Sequence, residues 1–118
     1  MLQRLVPKIF YADRAVGRDL FVDALRFAVA YEDDTITVVE RDGCKAILVQ
    51  DAAFAAKDRP EIAIETDAID DLHADVAARR PDLLHPNPVV HAVSLRPWGA
   101  REFALLDASG VCIVLRQW

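Results

Sequence analysis

One order of elements occurs twice along this chain, and that repeat limits the fold more than any other feature. Residues 5–13, from Leu5 through Pro7 to Asp13, predict a strand. Asp13 is a helix N-cap for Ala15–Arg26, where Val16, Leu20 and Ala24, with Phe21 and Leu25 beside them, recur at helical spacing. Phe27–Glu32 predicts a second strand, Glu32-Asp33-Asp34 a polar turn, and Thr35–Glu40 a β-branched third strand. Asp42-Gly43 marks a hairpin into a fourth strand, Lys45–Gln50. The second half repeats this with a strand over Glu61–Glu65 and a helix capped by Asp67, carrying Ile69, Leu72 and Val76 and ending at Arg80-Pro81. Strands over Val89–Leu95, Arg101–Leu106 and Cys112–Arg116 follow, the last two joined by Asp107-Ala108-Ser109-Gly110.

The residues echo the repeat. Asp42-Gly43-Cys44-Lys45-Ala46-Ile47-Leu48-Val49-Gln50 parallels Ser109-Gly110-Val111-Cys112-Ile113-Val114-Leu115-Arg116-Gln117, and Ile9–Asp13 parallels Ile62–Asp67. The expectation is an α+β fold: one domain, 1–118, made of two tandem βαβββ modules at about 4–52 and 60–117. Segment 51–60 reads as a linker and 79–88 as a loop. A βαβββ module has a helix on one face of its sheet only. Its other face must pair or hold a ligand, so curved mixed sheets around a cleft are expected, with the cleft as binding site.

Composition narrows the function. The net charge is −5, and the Lys and Arg residues are scattered, which argues against nucleic acid. An acidic surface either attracts cationic small molecules or does no more than keep the chain soluble, and charge alone favours the second. No run approaches the roughly 20 apolar residues of a membrane helix, and the start lacks an apolar signal region, so no membrane association and a cytoplasmic location are expected. Cys44 and Cys112 have no paired spacing and read as buried free thiols. His73, His85 and His91 read as a solvated helix residue, a loop residue and a strand-edge residue, with no metal-binding spacing. No Gly-x-Ser-x-Gly elbow, phosphate-cradling loop or dinucleotide fingerprint occurs, so no cofactor is expected.

Candidate ligand contacts come from residue chemistry. Trp98 lies in a Pro-Trp-Gly turn, where its indole either stacks on a flat or cationic ligand or packs over the sheet edge. Glu32, Asp33 and Asp34 are either a solvated turn or an acidic rim for a basic ligand. Asp51 and Phe54 offer a second acidic and apolar edge, and Tyr31 and Phe10 are cleft-lining or core. Arg101 and Glu102 read as a charged pair orienting their loop, and Trp118 as a dimer contact or a frayed end.

The duplicated βαβββ order resembles the vicinal-oxygen-chelate superfamily of glyoxalases, extradiol dioxygenases and fosfomycin- and bleomycin-resistance proteins. Within it, Arg96-Pro97-Trp98-Gly99-Ala100-Arg101-Glu102-Phe103-Ala104-Leu105-Leu106-Asp107-Ala108-Ser109-Gly110 looks most like the bleomycin-resistance proteins, which read Pro-Trp-Gly-Arg-Glu-Phe before an Asp and a Gly turn. Ala100 is one residue more than that pattern has. Val6-Pro7 and Glu32-Asp33-Asp34 are similar to that subfamily as well. The resemblance implies a glyoxalase/bleomycin-resistance fold with Trp98 lining a drug groove. It also implies a homodimer, with Pro7 marking a first strand that such proteins often exchange. Superfamily enzymes hold a divalent metal on the first and last strands of each module. Those positions fall here near Val6 and Val114, with Glu61 and Gln50 as the only donors nearby. The implied function is a metal-free protein sequestering bleomycin-like or other cationic aromatic antibiotics. The alternatives are a metal-dependent superfamily enzyme (a lyase or thiol transferase) and a binder of an unrelated metabolite.

Overall fold

The computed structural model describes every residue, Met1–Trp118. The chain divides into two compact units, Met1–Asp58 and Arg59–Trp118, each an open four-stranded mixed sheet with a helix on one face.

In the first unit, β1 (Lys8–Tyr11) leads into α1 (Arg14–Arg18), which continues as a π-helical turn over Asp19–Ala24. Then come β2 (Ala28–Glu32), β3 (Ile36–Arg41), β4 (Cys44–Gln50) and a short α2 (Ala52–Ala55). The sheet order is β1-β4-β3-β2; β1 runs parallel to β4 and the other pairs are antiparallel. Asp13 caps α1 by accepting the Ala15 N–H at 3.0 Å. The β3–β4 turn puts Asp42 and Gly43 at φ 50° and 82°, the left-handed pair that selects Asp-Gly in tight hairpins. Alternate residues of the sheet, Ile9, Tyr11, Thr37, Val39, Ala46 and Leu48, are buried, as are Leu20, Phe21, Ala24 and Leu25 of the helical segment. Helix and sheet meet closely at Gly17, where a Cβ would stand 2.6 Å from the Tyr11 ring.

The second unit has β5 (Glu61–Glu65), α3 (Ile69–Arg79), a 3-10 turn over Pro81–Leu83, α4 (Pro88–His91), β6 (Ser94–Leu95), β7 (Arg101–Leu106) and β8 (Cys112–Gln117). Its sheet order, β5-β8-β7-β6, with β5 parallel to β8, repeats that of the first unit. Ile69, Val76, Phe103, Leu105, Ile113 and Leu115 form its core. The β7–β8 turn is organised by Asp107, buried, whose Oδ1 accepts from the N–H groups of Ser109 (2.8 Å) and Val111 (3.0 Å) and from the Ser109 hydroxyl (2.7 Å). No helix is long and apolar enough to cross a membrane.

Several local expectations are corrected. Val89–Leu95 is not one strand: Asn87 Oδ1 accepts the Val89 N–H at 3.0 Å with Pro88 at the first helical position, so this cap and proline override the β-branched pair and start α4. His91 therefore ends a helical turn instead of edging a strand. Segment 51–60 is not all linker, since Asp51 accepts the Phe54 N–H at 3.0 Å and starts α2. Asp67 does not cap α3; that helix begins at Ile69, whose N–H reaches the Gln117 side-chain oxygen at 3.0 Å. Cys44 is exposed and Cys112 half-buried, because both lie at the starts of strands, away from the core centre. His73 is half-buried, with its ring edge-on to Phe103 at 4.9 Å.

Candidate functional site

In the first unit, the strand register sets Phe10, Ile36, Val38, Ile47, Val49 and Tyr31 on the face opposite the buried core side chains. All but exposed Tyr31 are half-buried. Phe10 stands on edge strand β1, and Phe54 stacks on it with ring centroids 5.0 Å apart. Lys57 lies 4.4 Å over the Phe54 ring. Tyr31 stands on the opposite edge strand, three strand spacings or about 14 Å away. This face is thus an apolar floor between two aromatic edges.

The acidic turn does not act as one cluster. Glu32 points towards the core side of the sheet, accepting from the Thr37 hydroxyl at 2.6 Å and from the Arg18 guanidinium. Asp33 is spent on the turn itself: Oδ1 accepts the N–H groups of Thr35 and Ile36, at 2.9 and 2.8 Å, and Oδ2 accepts the Tyr31 hydroxyl at 2.9 Å. These bonds hold the Asp33 carboxyl below its usual range, chiefly through the backbone N–H groups, and raise the Tyr31 phenol through Asp33. The Thr37 hydroxyl and then Arg18 likewise lower Glu32. A folded pKa below the unfolded one contributes stability above the unfolded value, near pH 4, that is lost as pH falls through the folded value. Thermal denaturation should therefore show a midpoint that falls on acidification below about pH 4 and levels off above it. A flat midpoint through this acid range contradicts the bonding described for the turn.

In the second unit, Ser94, Glu102, Arg116 and Glu65 lie in one register row across β6, β7, β8 and β5, on the face opposite Phe103 and Leu115. Trp98 sits in the β6–β7 turn, which is closed by the Arg96 N–H on the Ala100 carbonyl at 2.8 Å and has Gly99 at φ 94°. Its indole is 52% exposed, but its Nε1–H donates to Glu102 Oε2 at 2.7 Å. Glu102, 4% exposed, also accepts from Arg116 Nε at 2.7 Å. Arg101 does not pair with Glu102: neighbours along a strand point to opposite faces, and Arg101 instead grips Asp70 of α3 through two bonds of 2.9 and 2.7 Å. Trp118 is tied down as well, donating from Nε1 to Glu65.

Sequence reasoning singled out Trp98, Tyr31 and Phe54, which all remain accessible. It missed Glu102, Arg116 and Glu65 as a set. The Trp98–Glu102 spacing was visible, but the register linking Glu102 to Arg116 and Glu65 depends on the turns between strands.

The residues present do not fit the divalent metal of the superfamily enzymes. Val6 precedes β1, and Val114 is buried in β8 beside Ala104 and Ala63, offering no donor. Gln50 accepts the Arg14 N–H at 3.3 Å in the first unit, while Glu61 opens β5 in the second. Nowhere do three or more His, Cys, Asp or Glu side chains converge so as to hold a metal ion. Burial, and secondarily Glu61, raises the Cys112 thiol, so it stays protonated and unsuited to nucleophilic work.

The two open βαβββ sheets define the glyoxalase/bleomycin-resistance fold, and solved structures of that fold match this chain over nearly its whole length. A bleomycin-binding protein complexed with bleomycin matches with a TM-score of 0.78 at 17% identity, over 99% of both chains. The bleomycin-binding protein of Streptomyces verticillus, complexed with copper(II)-bleomycin, gives 0.73 at 24% identity, over 98% of this chain and 97% of that one. A glyoxalase/bleomycin-resistance/dioxygenase superfamily member from Sphaerobacter thermophilus gives 0.73 at 18% identity, over 100% and 98%. At these identities the likeness shows the fold alone. No family model and no curated protein sequence matches the chain.

Proposed function

We propose that this chain is a metal-free binding protein that sequesters bleomycin-like or other flat aromatic, cationic antibiotics, acting by stoichiometric capture and not by turnover. The observation that carries the reading is Trp98: an indole half open to solvent yet fixed at its N–H by a buried carboxylate, on a fold also found in bleomycin-binding proteins. A fixed, exposed ring loses little conformational freedom on binding and keeps a face for stacking. In the first unit, Tyr31, Phe54 and the half-buried apolar face are the further contacts of this reading, with Asp34 as its acidic rim. Asp33, Glu32 and Tyr31 hold that rim in shape. The same reading makes the working form a cytoplasmic homodimer with Pro7, immediately before edge strand β1, at the contact. The Pro7 carbonyl already accepts the Ile47 N–H at 2.9 Å, and a proline has no N–H to leave unpaired on the outer edge.

Trp98→Ala should keep the fold and weaken metal-free bleomycin binding by about tenfold or more, the size of a lost stacking contact of about 1–2 kcal/mol. Calorimetric titration of wild type and variant side by side reads this. Equal affinities in the two would remove Trp98 from the site.

A further inference from the structure

Trp118 stands in surroundings that repeat those of Trp98. Each indole donates its N–H to a glutamate, Trp98 to Glu102 and Trp118 to Glu65. Each has an arginine over its ring, Arg96 at 5.0 Å from the Trp98 centroid and Arg116 at 5.8 Å from that of Trp118. Each remains open, at 52% and 69% exposure. The two arrangements are joined, because Arg116 also donates to Glu102, the carboxylate that holds Trp98. Glu102 and Glu65 lie on one face of the sheet in a single register row, two strand spacings or about 10 Å apart.

We infer that Trp118 is a second ligand-contacting residue, forming with Trp98 a two-indole surface for flat heteroaromatic rings. A tryptophan that merely ended a strand would not need its N–H held by a carboxylate and one ring face covered by a guanidinium. Both restraints fix the ring plane while leaving the other face free to stack. The two glutamates and two arginines cancel in formal charge. Selection at this surface is therefore by flatness and ring size, with ligand charge secondary. The inference deepens the proposed function and shares Trp98 with it. It does not depend on bleomycin being the ligand.

The chain has two tryptophans, so replacing one leaves the other as the only indole reporter. Two probes are titrated: acridine in its neutral form and proflavine, its cationic diamino derivative, each followed by indole fluorescence and by calorimetry. In Trp98→Phe, quenching of Trp118 that saturates with either probe is expected. Trp118→Ala should weaken both probes about tenfold, Trp118→Phe should keep most of the affinity, and Glu65→Gln should fall between. Circular dichroism matching wild type excludes a folding defect in these variants. Unquenched Trp118, or wild-type affinity in Trp118→Ala, overturns the inference, as does a wild type that binds neither probe. Metal-free bleomycin titrated in parallel separates the two claims. Bleomycin binding that ignores Trp118→Ala sinks the second contact and spares the sequestration reading. Probe binding without bleomycin binding does the reverse.

Discussion

Replacing Glu102 with alanine is expected to lower the unfolding free energy by about 2–3 kcal/mol, a large effect for a single polar substitution. Its Oε2 accepts from both Trp98 Nε1 and Arg116 Nε, each at 2.7 Å, and the residue is 4% exposed. Removing it strands a guanidinium and an indole N–H at once. Arg116 is partly open, with 27% of its side chain exposed, so water relieves some of the loss and the cost falls below that of a fully buried pair. Glu102→Gln keeps an acceptor oxygen and should cost less. Urea denaturation reads both. A loss under about 0.5 kcal/mol for the alanine variant would mean that the carboxylate is not holding these groups. Because Trp98 loses its anchor, ligand affinity should also fall in variant protein that is still folded.

Gly17→Ala is expected to destabilise by about 2 kcal/mol, although alanine is the better helix former. The new Cβ would stand 2.6 and 2.8 Å from two carbons of the Tyr11 ring, and Tyr11 is 0% exposed, with no room to retreat. Overpacking therefore outweighs the roughly 1 kcal/mol that alanine gains over glycine in helix propensity. Tyr11→Leu alone should also destabilise, by leaving a cavity, but the double variant should be more stable than the sum of the two losses predicts. Strict additivity would show that the ring and the helix are not in conflict at this point.

The repeat was legible because it rests on local signals: the Asp13 cap, the Asp42-Gly43 hairpin and the β-branched run of β3. These act within a few residues, and tertiary packing agrees with them. Val89-Val90-His91 misled because a β-branched pair looks like a strand until a cap and a proline are weighed together, as at Asn87-Pro88. The acidic turn was visible as charge, but its division was not. Whether a carboxylate turns to the core side, as Glu32 does, or bonds its own backbone, as Asp33 does, depends on register and turn geometry. The same holds for the row joining Trp98, Glu102, Arg116, Glu65 and Trp118, whose members come from separate segments that pairing alone brings into line.

The most direct test of small-molecule sequestration is a calorimetric titration of the wild-type protein with metal-free bleomycin, with metal analysis of the same sample. Saturable binding at one ligand per chain, unaffected by chelator and without stoichiometric metal, is the predicted result. No heat of binding, or a divalent metal retained at one per chain and needed for binding, would contradict it.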